Sequence, residues 1–411
     1  MNKIGGRVYL SHTRLVGSAI TAKPCFSSYR PSLGQGQDMS KTTTLGEWVP
    51  GGSGTGIPFF IMRGGTSTAL FFMKADLPQE AAVRDRLLLD ILGLPELNER
   101  FGIGHDSQSS KIAIIHPAGG QDADIDYFFA QGNLTKQTID TSVSCGNILS
   151  AVGPFAIETG LVEVTVPETS VGVLCVNTNV LARVIVQTPA GKVRYDGDTR
   201  IDGVAGSAAP VLVNFINSEG SVTGKVLPTG QACDLVEGVE ISCVDAAMPV
   251  VMALAADFGK TGHESAEILN RDTALLARIE AVRLVAGRLM GLGDVSHLVM
   301  PKFALLSPPS GKEGICSRYF TPWAAHTSHA VTGALCVATA CLIPGTVAAR
   351  VYQGAAGGRV QAGPQKEVIE HPAGIIEVEM ELRDRDGRIT IPEAAFIRTA
   401  AALFKGVYHV H

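Results

Sequence analysis

No stretch of this sequence reaches the roughly 18 consecutive apolar residues of a membrane-spanning helix, which excludes an integral helical membrane protein. It has no Lys/Arg run or basic stripe. With 34 basic against 39 acidic residues the formal net charge is −5, so nucleic acid is not an expected partner. The eight cysteines include no CxxC pair, and no histidine cluster completes a zinc-ligand spacing, so no metal is expected. A chain of this size folds without disulfides. Its thiols are expected to be reduced in an intracellular compartment, most of them buried as small hydrophobes. Charged residues make up only 18 % against 45 % hydrophobic, the balance of a globular chain, and 411 residues suffice for two domains.

Residues 1–38 carry Lys3, Arg7, Arg14, Lys23 and Arg30, several Ser and Thr, and no acidic residue before Asp38. That composition is similar to a mitochondrial transit peptide, and equally to a disordered extension ahead of a second start at Met39. The expected location is mitochondrial in the first case and cytoplasmic in the second. Residues 1–56, ending in Gly51-Gly52-Ser53-Gly54-Thr55-Gly56, lack core periodicity and are expected to stand outside the fold.

Beyond that segment the sequence repeats itself. FFIMRGGTSTALFFMKADLP (59–78) and EISCVDAAMPVVMALAADFG (240–259) each read as an apolar strand, a small-residue turn, a second apolar strand and an Ala-Asp. Helix-period segments follow at 81–94 and 273–292. In SSKIAIIHP (109–117) and MPKFALLSP (300–308) a lysine, Lys111 or Lys302, leads into a buried-type strand. CGNILSAVGPFAIETG (145–160) and TGALCVATACLIPG (332–345) each open on small residues and read as a hydrophobic helix ending at glycine. Four matched elements in one order predict an α+β chain of two pseudo-symmetric domains, 57–238 and 239–411. Each is a mostly antiparallel sheet wrapped round a central hydrophobic helix. Helices 147–158 and 333–343, apolar all round, should be buried with their N-termini facing across an interdomain cleft. That brings free N–H donors and positive dipole ends to one point, where an anion belongs.

Cys145 opens the first of these helices in Ser144-Cys145-Gly146-Asn147, a setting that suits a thiol to give or take a proton. Cys175, Cys336 and Cys341 lie inside apolar runs and read as core. Lys111 could bind a carboxylate or act as a base; alone it would pass for a surface lysine, but Lys302 recurs at the matched place. Met62-Arg63-Gly64-Gly65-Thr66-Ser67 reads as a strand turn that presents backbone N–H groups, a guanidinium and two hydroxyls to a carboxylate. It lacks the spacing of dinucleotide- or phosphate-loop motifs. Of His326 and His329, ahead of Thr332, one is expected to bind substrate or to stay neutral and hydrogen-bonded.

The segments MRGGTS (62–67), SSKIAII (109–115), SCGNILSAVGPFAIE (144–158), LPTGQACD (227–234), MGLGDVS (290–296), MPKFALL (300–306) and HAVTGALC (329–336) together resemble the PrpF family. Its members include 2-methylaconitate isomerase, aconitate Δ-isomerase, 4-oxalomesaconate tautomerase and methylitaconate isomerase. The resemblance spans about 57–411 and implies a diaminopimelate epimerase-like fold. It also implies a cofactor-independent 1,3-allylic proton shift in a small unsaturated polycarboxylate. It makes Lys111 and Cys145 the proton-transfer pair, with Arg63, Gly65, Thr66, Ser67, Ser110, Gly146, Asn147, Met248, Lys302, His326, Thr332 and Gly333 around the substrate. The epimerase's second cysteine falls on Thr332, which argues against two-thiol racemisation; Lys111 with Cys145 argues against a non-catalytic accessory role. The resemblance leaves a homodimer open. The chain departs from the family at Thr68-Ala69, where a lysine is usual, and at Phe101–Asp106, in place of a DGMGG-like run.

A chain lacking residues 1–38 is expected to fold and turn over as the full chain does. Solubility and specific activity of the truncated protein check this, and an insoluble product would place the segment in the fold.

Overall fold

The structure is a computed structural model that describes residues 56–409, except 121, 312, 353–361 and 386–387. The extension expected over 1–56 lies outside the described residues, apart from Gly56. In the first half, β1 (Gly56–Gly64) and β2 (Ser67–Met73) form a hairpin. Helices α1 (Ala81–Leu92) and α2 (Pro95–Phe101) lead to β3 (Lys111–Pro117), parallel to β2. The next strand, β4 (Ile125–Asn133), returns antiparallel and carries the short β5 (Thr138–Asp140). Helix α3 (Gly146–Glu158) crosses to β6 (Glu168–Cys175), parallel to β4, and β7 (Val180–Gln187) and β8 (Pro210–Ile216) follow antiparallel.

The second half repeats this order. After the short β9 (Asp234–Val236), β10 (Val239–Asp245) and β11 (Pro249–Leu254) form the hairpin. Helices α4 (Ala266–Arg271) and α5 (Thr273–Leu289) lead to β12 (Lys302–Ser307), parallel to β11. Antiparallel β13 (Ile315–Phe320) is followed by α6 (Val331–Cys341) and α7 (Val347–Val351). Then come β14 (Gly363–His371), parallel to β13, and antiparallel β15 (Gly374–Arg385) and β16 (Arg388–His409). The α+β fold with two sheet-wrapped helices is therefore the one the repeat predicts. Lys111 and Lys302 open equivalent strands, paired with Ala69 and Val250.

Helix ends differ slightly from expectation. Gly93 and Pro95 stop α1 at Leu92, and Gly291, at φ +77°, ends α5 near Leu289. Residues 388–409 pair across both halves. The strand β16 pairs not only with β15 but with β8 (Glu393 opposite Ile216 through Thr399 opposite Pro210) and with β1 (Gly64 opposite Ala400 through Gly56 opposite His409). The sheet order is thus continuous across 238/239. Without β16, β1 and β8 would both present open edges.

Every residue of α3 from Gly146 to Ile157 and every residue of α6 is buried. Phe155 of α3 packs on Phe60 and Phe71, with ring centroids 5.0 and 5.4 Å away. Side-chain capping is uneven among the helices, and α1 and α2 start without it. In α4, α5 and α7 a Ser265, Asp272 or Thr346 side chain accepts an N-terminal N–H. The N-caps of α3 and α6, Cys145 and Ala330, provide no side-chain cap. No helix among the described residues is long and apolar enough to cross a membrane.

Gly64 is where the first hairpin meets α3: a Cβ there would lie 2.4 Å from the Asn147 carbonyl oxygen and 3.0 Å from Ile148 Cα. Backbone cannot rotate away, so Gly64→Ala should destabilise by about 1–3 kcal/mol, as overpacking does. A lower denaturant midpoint at unchanged slope is the expected result; an unchanged midpoint would mean that the hairpin does not touch the helix.

Candidate active site

The uncapped ends of α3 and α6 meet. A Cβ on Gly146 would lie 2.9 Å from Val331 Cβ and 3.1 Å from the Phe215 ring, so only glycine lets the two first turns approach this closely. The Asn147 Nδ2 donates to the His329 carbonyl at 3.3 Å and ties one helix start to the other. Together they wall a cavity of about 660 Å³, within the range of small-molecule sites. Of the residues expected around a substrate, Ser67, Ser110, Lys111, Cys145, Gly146, Asn147, Met248, Lys302, His326 and Thr332 line it.

Both lysines are only 8 % exposed. The Lys111 Nζ donates to Gln131 Oε1 at 2.8 Å, and Gln131 Nε2 in turn donates to the Ser110 carbonyl at 2.8 Å. Gln131 is the cross-strand partner of Lys111, so the β3–β4 register itself aims the ammonium. The Lys302 ammonium is pushed down to about 7, first by burial and then by the charge of Lys111; Asp140 and Cys145 act in the opposite direction. The Asp140 carboxylate is held in place by the N–H groups of Val299 and Ser142, each at 2.7 Å.

His326 is buried and held neutral: burial first, then His329 and Lys111, push it well below its ordinary range. Its Nδ1 accepts the Ser328 N–H at 3.0 Å, which leaves Nε2 to carry the proton. His329 is spent internally, between Ser317 Oγ and the Ala330 carbonyl. Four buried oxygens on the cavity wall, Ser67 Oγ, Ser144 Oγ, Asn147 Oδ1 and Tyr319 Oη, have no hydrogen-bond partner. Burial pushes the Tyr319 hydroxyl well up, so it remains a donor. Orphaned buried polar atoms are costly, and groups left so at a cavity suit a ligand.

Four expected site residues do not line the cavity. The Arg63 Nη1 donates to the carbonyls of Gly65 (2.9 Å) and Thr399 (3.2 Å) and to Thr399 Oγ1 (3.0 Å), and so locks the hairpin to β16. The Gly65 N–H, expected to be free for a carboxylate, is bonded to the Thr399 carbonyl at 2.9 Å. A Cβ on Gly65 would sit 2.2 Å from Asn147 Oδ1, so this glycine makes room for a wall residue. The Thr66 hydroxyl accepts from Ser328 Oγ at 3.0 Å. At Gly333 a Cβ would lie 2.3 Å from the Tyr319 ring, so its bareness seats that tyrosine. Tyr319, Gln131 and Asp140 are site residues that no motif announced. Gln131 alone carried a signal, as the strand neighbour of Lys111.

Two matched sheet-and-helix halves with a cavity at their helix starts form a fold also seen in a solved epimerase. A crystal structure of a hydroxyproline epimerase from Agrobacterium vitis aligns over 86 % of this chain and 93 % of that one, with a TM-score of 0.52 at 13 % identity, a likeness of fold alone. Residues 55–411 match the family model described as PrpF protein, and the chain belongs to that family. It is 45 % identical over 354 residues to the 4-oxalomesaconate tautomerase of Pseudomonas putida, covering 86 % of this chain and 96 % of that protein. The crystal structure of methylitaconate-delta-isomerase is 33 % identical with a TM-score of 0.67, covering 86 % and 95 %. This protein is an isomerase.

The lowered Lys302 has a stability signature. Below about pH 7 both folded and unfolded chains hold the proton, and the fold bears the full cost of the buried charge. Between about 7 and the ordinary 10.5 the unfolded chain binds more protons, so stability rises with pH. Lys302→Met should therefore raise Tm most below pH 7, with the gain shrinking towards pH 10. A gain that does not vary with pH would show Lys302 to be solvated.

Proposed function

We propose that this protein moves a proton across an allylic system in a small unsaturated di- or tricarboxylate, of the kind for which its relatives are named, with Lys111 and Cys145 as the proton-transfer pair. The observation that carries the proposal is the meeting of two uncapped helix starts, two buried lysines and one thiol on a single cavity wall. Helix N-termini and ammonium groups favour carboxylates, and more than one such group is available here. A C–H next to a carboxylate-bearing double bond loses its proton to one member of the pair. The negative charge spreads over the conjugated carboxylate, where N–H donors, Tyr319 and Lys302 are positioned to hold it. The other member then delivers a proton two carbons away. The sum is redox-neutral and begins and ends with the same proton count, so the step calls on no cofactor.

Lys302 fits the electrostatic role. A polyanion beside it offsets the burial and the Lys111 charge that depress it, so binding draws in a proton near neutrality and KM should rise above about pH 7.

Lys111→Ala and Cys145→Ala should each fold normally and lose about a hundred- to ten-thousand-fold in turnover, the usual worth of a general acid or base. Aconitate, methylaconitate, oxalomesaconate and methylitaconate, followed by proton NMR in deuterium oxide, form the assay panel. A variant that washes deuterium into substrate without forming product retains the first base and lacks the second. Cys145→Ser should resemble the alanine variant if the thiol moves a proton, and wild type if it only donates a hydrogen bond. Near wild-type rates in both alanine variants would move the chemistry to Lys302 and His326.

A further inference from the structure

Outside the active site, three side chains of different donor type converge on the second half. His263 lies in the loop before α4, Cys316 on β13 and Glu370 on β14. We propose that these three residues form a binding site for a tetrahedral, thiophilic divalent cation of the zinc type. His263 Nδ1 lies 3.7 Å from Cys316 Sγ and 3.4 Å from Glu370 Oε1, and Sγ lies 3.8 Å from that oxygen. An ion about 2.3 Å from sulfur and about 2.0–2.2 Å from nitrogen and oxygen requires tetrahedral edges of roughly 3.3–3.6 Å. The three donor atoms thus already form one face of such a tetrahedron, and small side-chain adjustments complete it. The fourth corner opens towards Ser310 Oγ, 3.2 Å from Nδ1 and 2.9 Å from Oε1, and towards solvent, His263 being 39 % exposed.

The surroundings hold the donors in place. Cys316 and Glu370 are direct cross-strand partners, which fixes their spacing through the backbone ladder. The second Glu370 oxygen accepts the Ser310 N–H at 2.7 Å. The loop that carries His263 is closed by Glu264, whose carboxylate accepts the N–H groups of Thr261 and Gly262 at 2.7 and 3.0 Å. Its carbonyl accepts Arg318 Nε at 2.7 Å. The Arg318 Nη1 also lies 3.2 Å from the sulfur, placed as an outer-shell donor to a metal-bound thiolate. Its positive charge opposes a bare cation. A thiolate and a carboxylate together balance the two charges of the ion, so the bound site is neutral before the arginine is counted. On binding, the thiol S–H bond breaks, the sulfur–metal bond forms, and the proton leaves to solvent. None of the three residues lines the active-site cavity, so the ion acts as a clip between the loop and the sheet. With spacings of 53 and 54 residues, no sequence motif could have announced it.

The test uses the full chain, stripped with a chelator and dialysed against zinc, with bound metal counted per chain. Cobalt replaces zinc in a second sample to read the thiolate-to-cobalt charge-transfer band. One tight ion per chain, a cobalt–thiolate band, and a higher Tm with zinc are expected. Cys316→Ser should abolish the band, and His263→Ala, a partly exposed change that leaves the core intact, should weaken binding by more than the roughly 10–100-fold typical of an outer-shell partner. Circular dichroism confirms that both variants fold. Wild-type protein that retains no more zinc than His263→Ala, or a cobalt adduct without a thiolate band, would overturn the proposal.

Discussion

The structure turns on the contact between Gly146 and Val331, where two buried helices meet start to start. Helix N-termini repel one another electrostatically and leave N–H donors unmet, so bringing two together inside a protein is unfavourable unless something negative lies between them. Helices α4, α5 and α7 meet such donors with side-chain caps, whereas α3 and α6 do not. The two halves build their sheets around these helices, and the cavity is the space left in front of them.

The same constraint explains the crowding of positive charge. Lys111 and Lys302 occupy equivalent strand starts, so whatever repeat generated the fold also placed two ammonium groups on one cavity. The charge of Lys111 makes it harder for Lys302 to stay charged. Asp140, fixed by two backbone N–H groups, and Cys145 act against that from within the wall. The site is therefore electrostatically biased in favour of an anion, and the orphaned oxygens of Ser67, Ser144, Asn147 and Tyr319 add unsatisfied hydrogen bonds. Functional sites commonly break the local rules obeyed elsewhere in the same molecule.

Much of this was legible in the sequence because the repeat carries topology. Matched hairpins, lysine-led strands and all-round apolar helices predict two sheet-wrapped helices with facing starts, and the family resemblance named ten of the residues that line the cavity. The sequence could not reveal which polar atoms are already spent. Arg63 and Gly65 look free in a local turn, yet both are bound by Thr399, 336 residues from Arg63 along the chain. Gly333 looks like a donor at a helix start, but its role is set by the Tyr319 ring, which comes from another strand. Likewise, nothing local to residues 388–409 says that they pair with β1 as well as β15.

That strand, β16, also governs when the protein can be completed. Its pairing with β1 joins residues almost a full chain apart, from Gly56 with His409 to Gly64 with Ala400. During synthesis β1 and β8 emerge first and wait, with unpaired N–H and carbonyl groups along their outer sides, until the final strand leaves the ribosome. Such long-range pairing slows folding and prolongs the exposure of sticky edges. The first half gains its closing strand only once the second has been made. For this molecule the duplicated architecture ties closure of the first sheet to the last strand of the second.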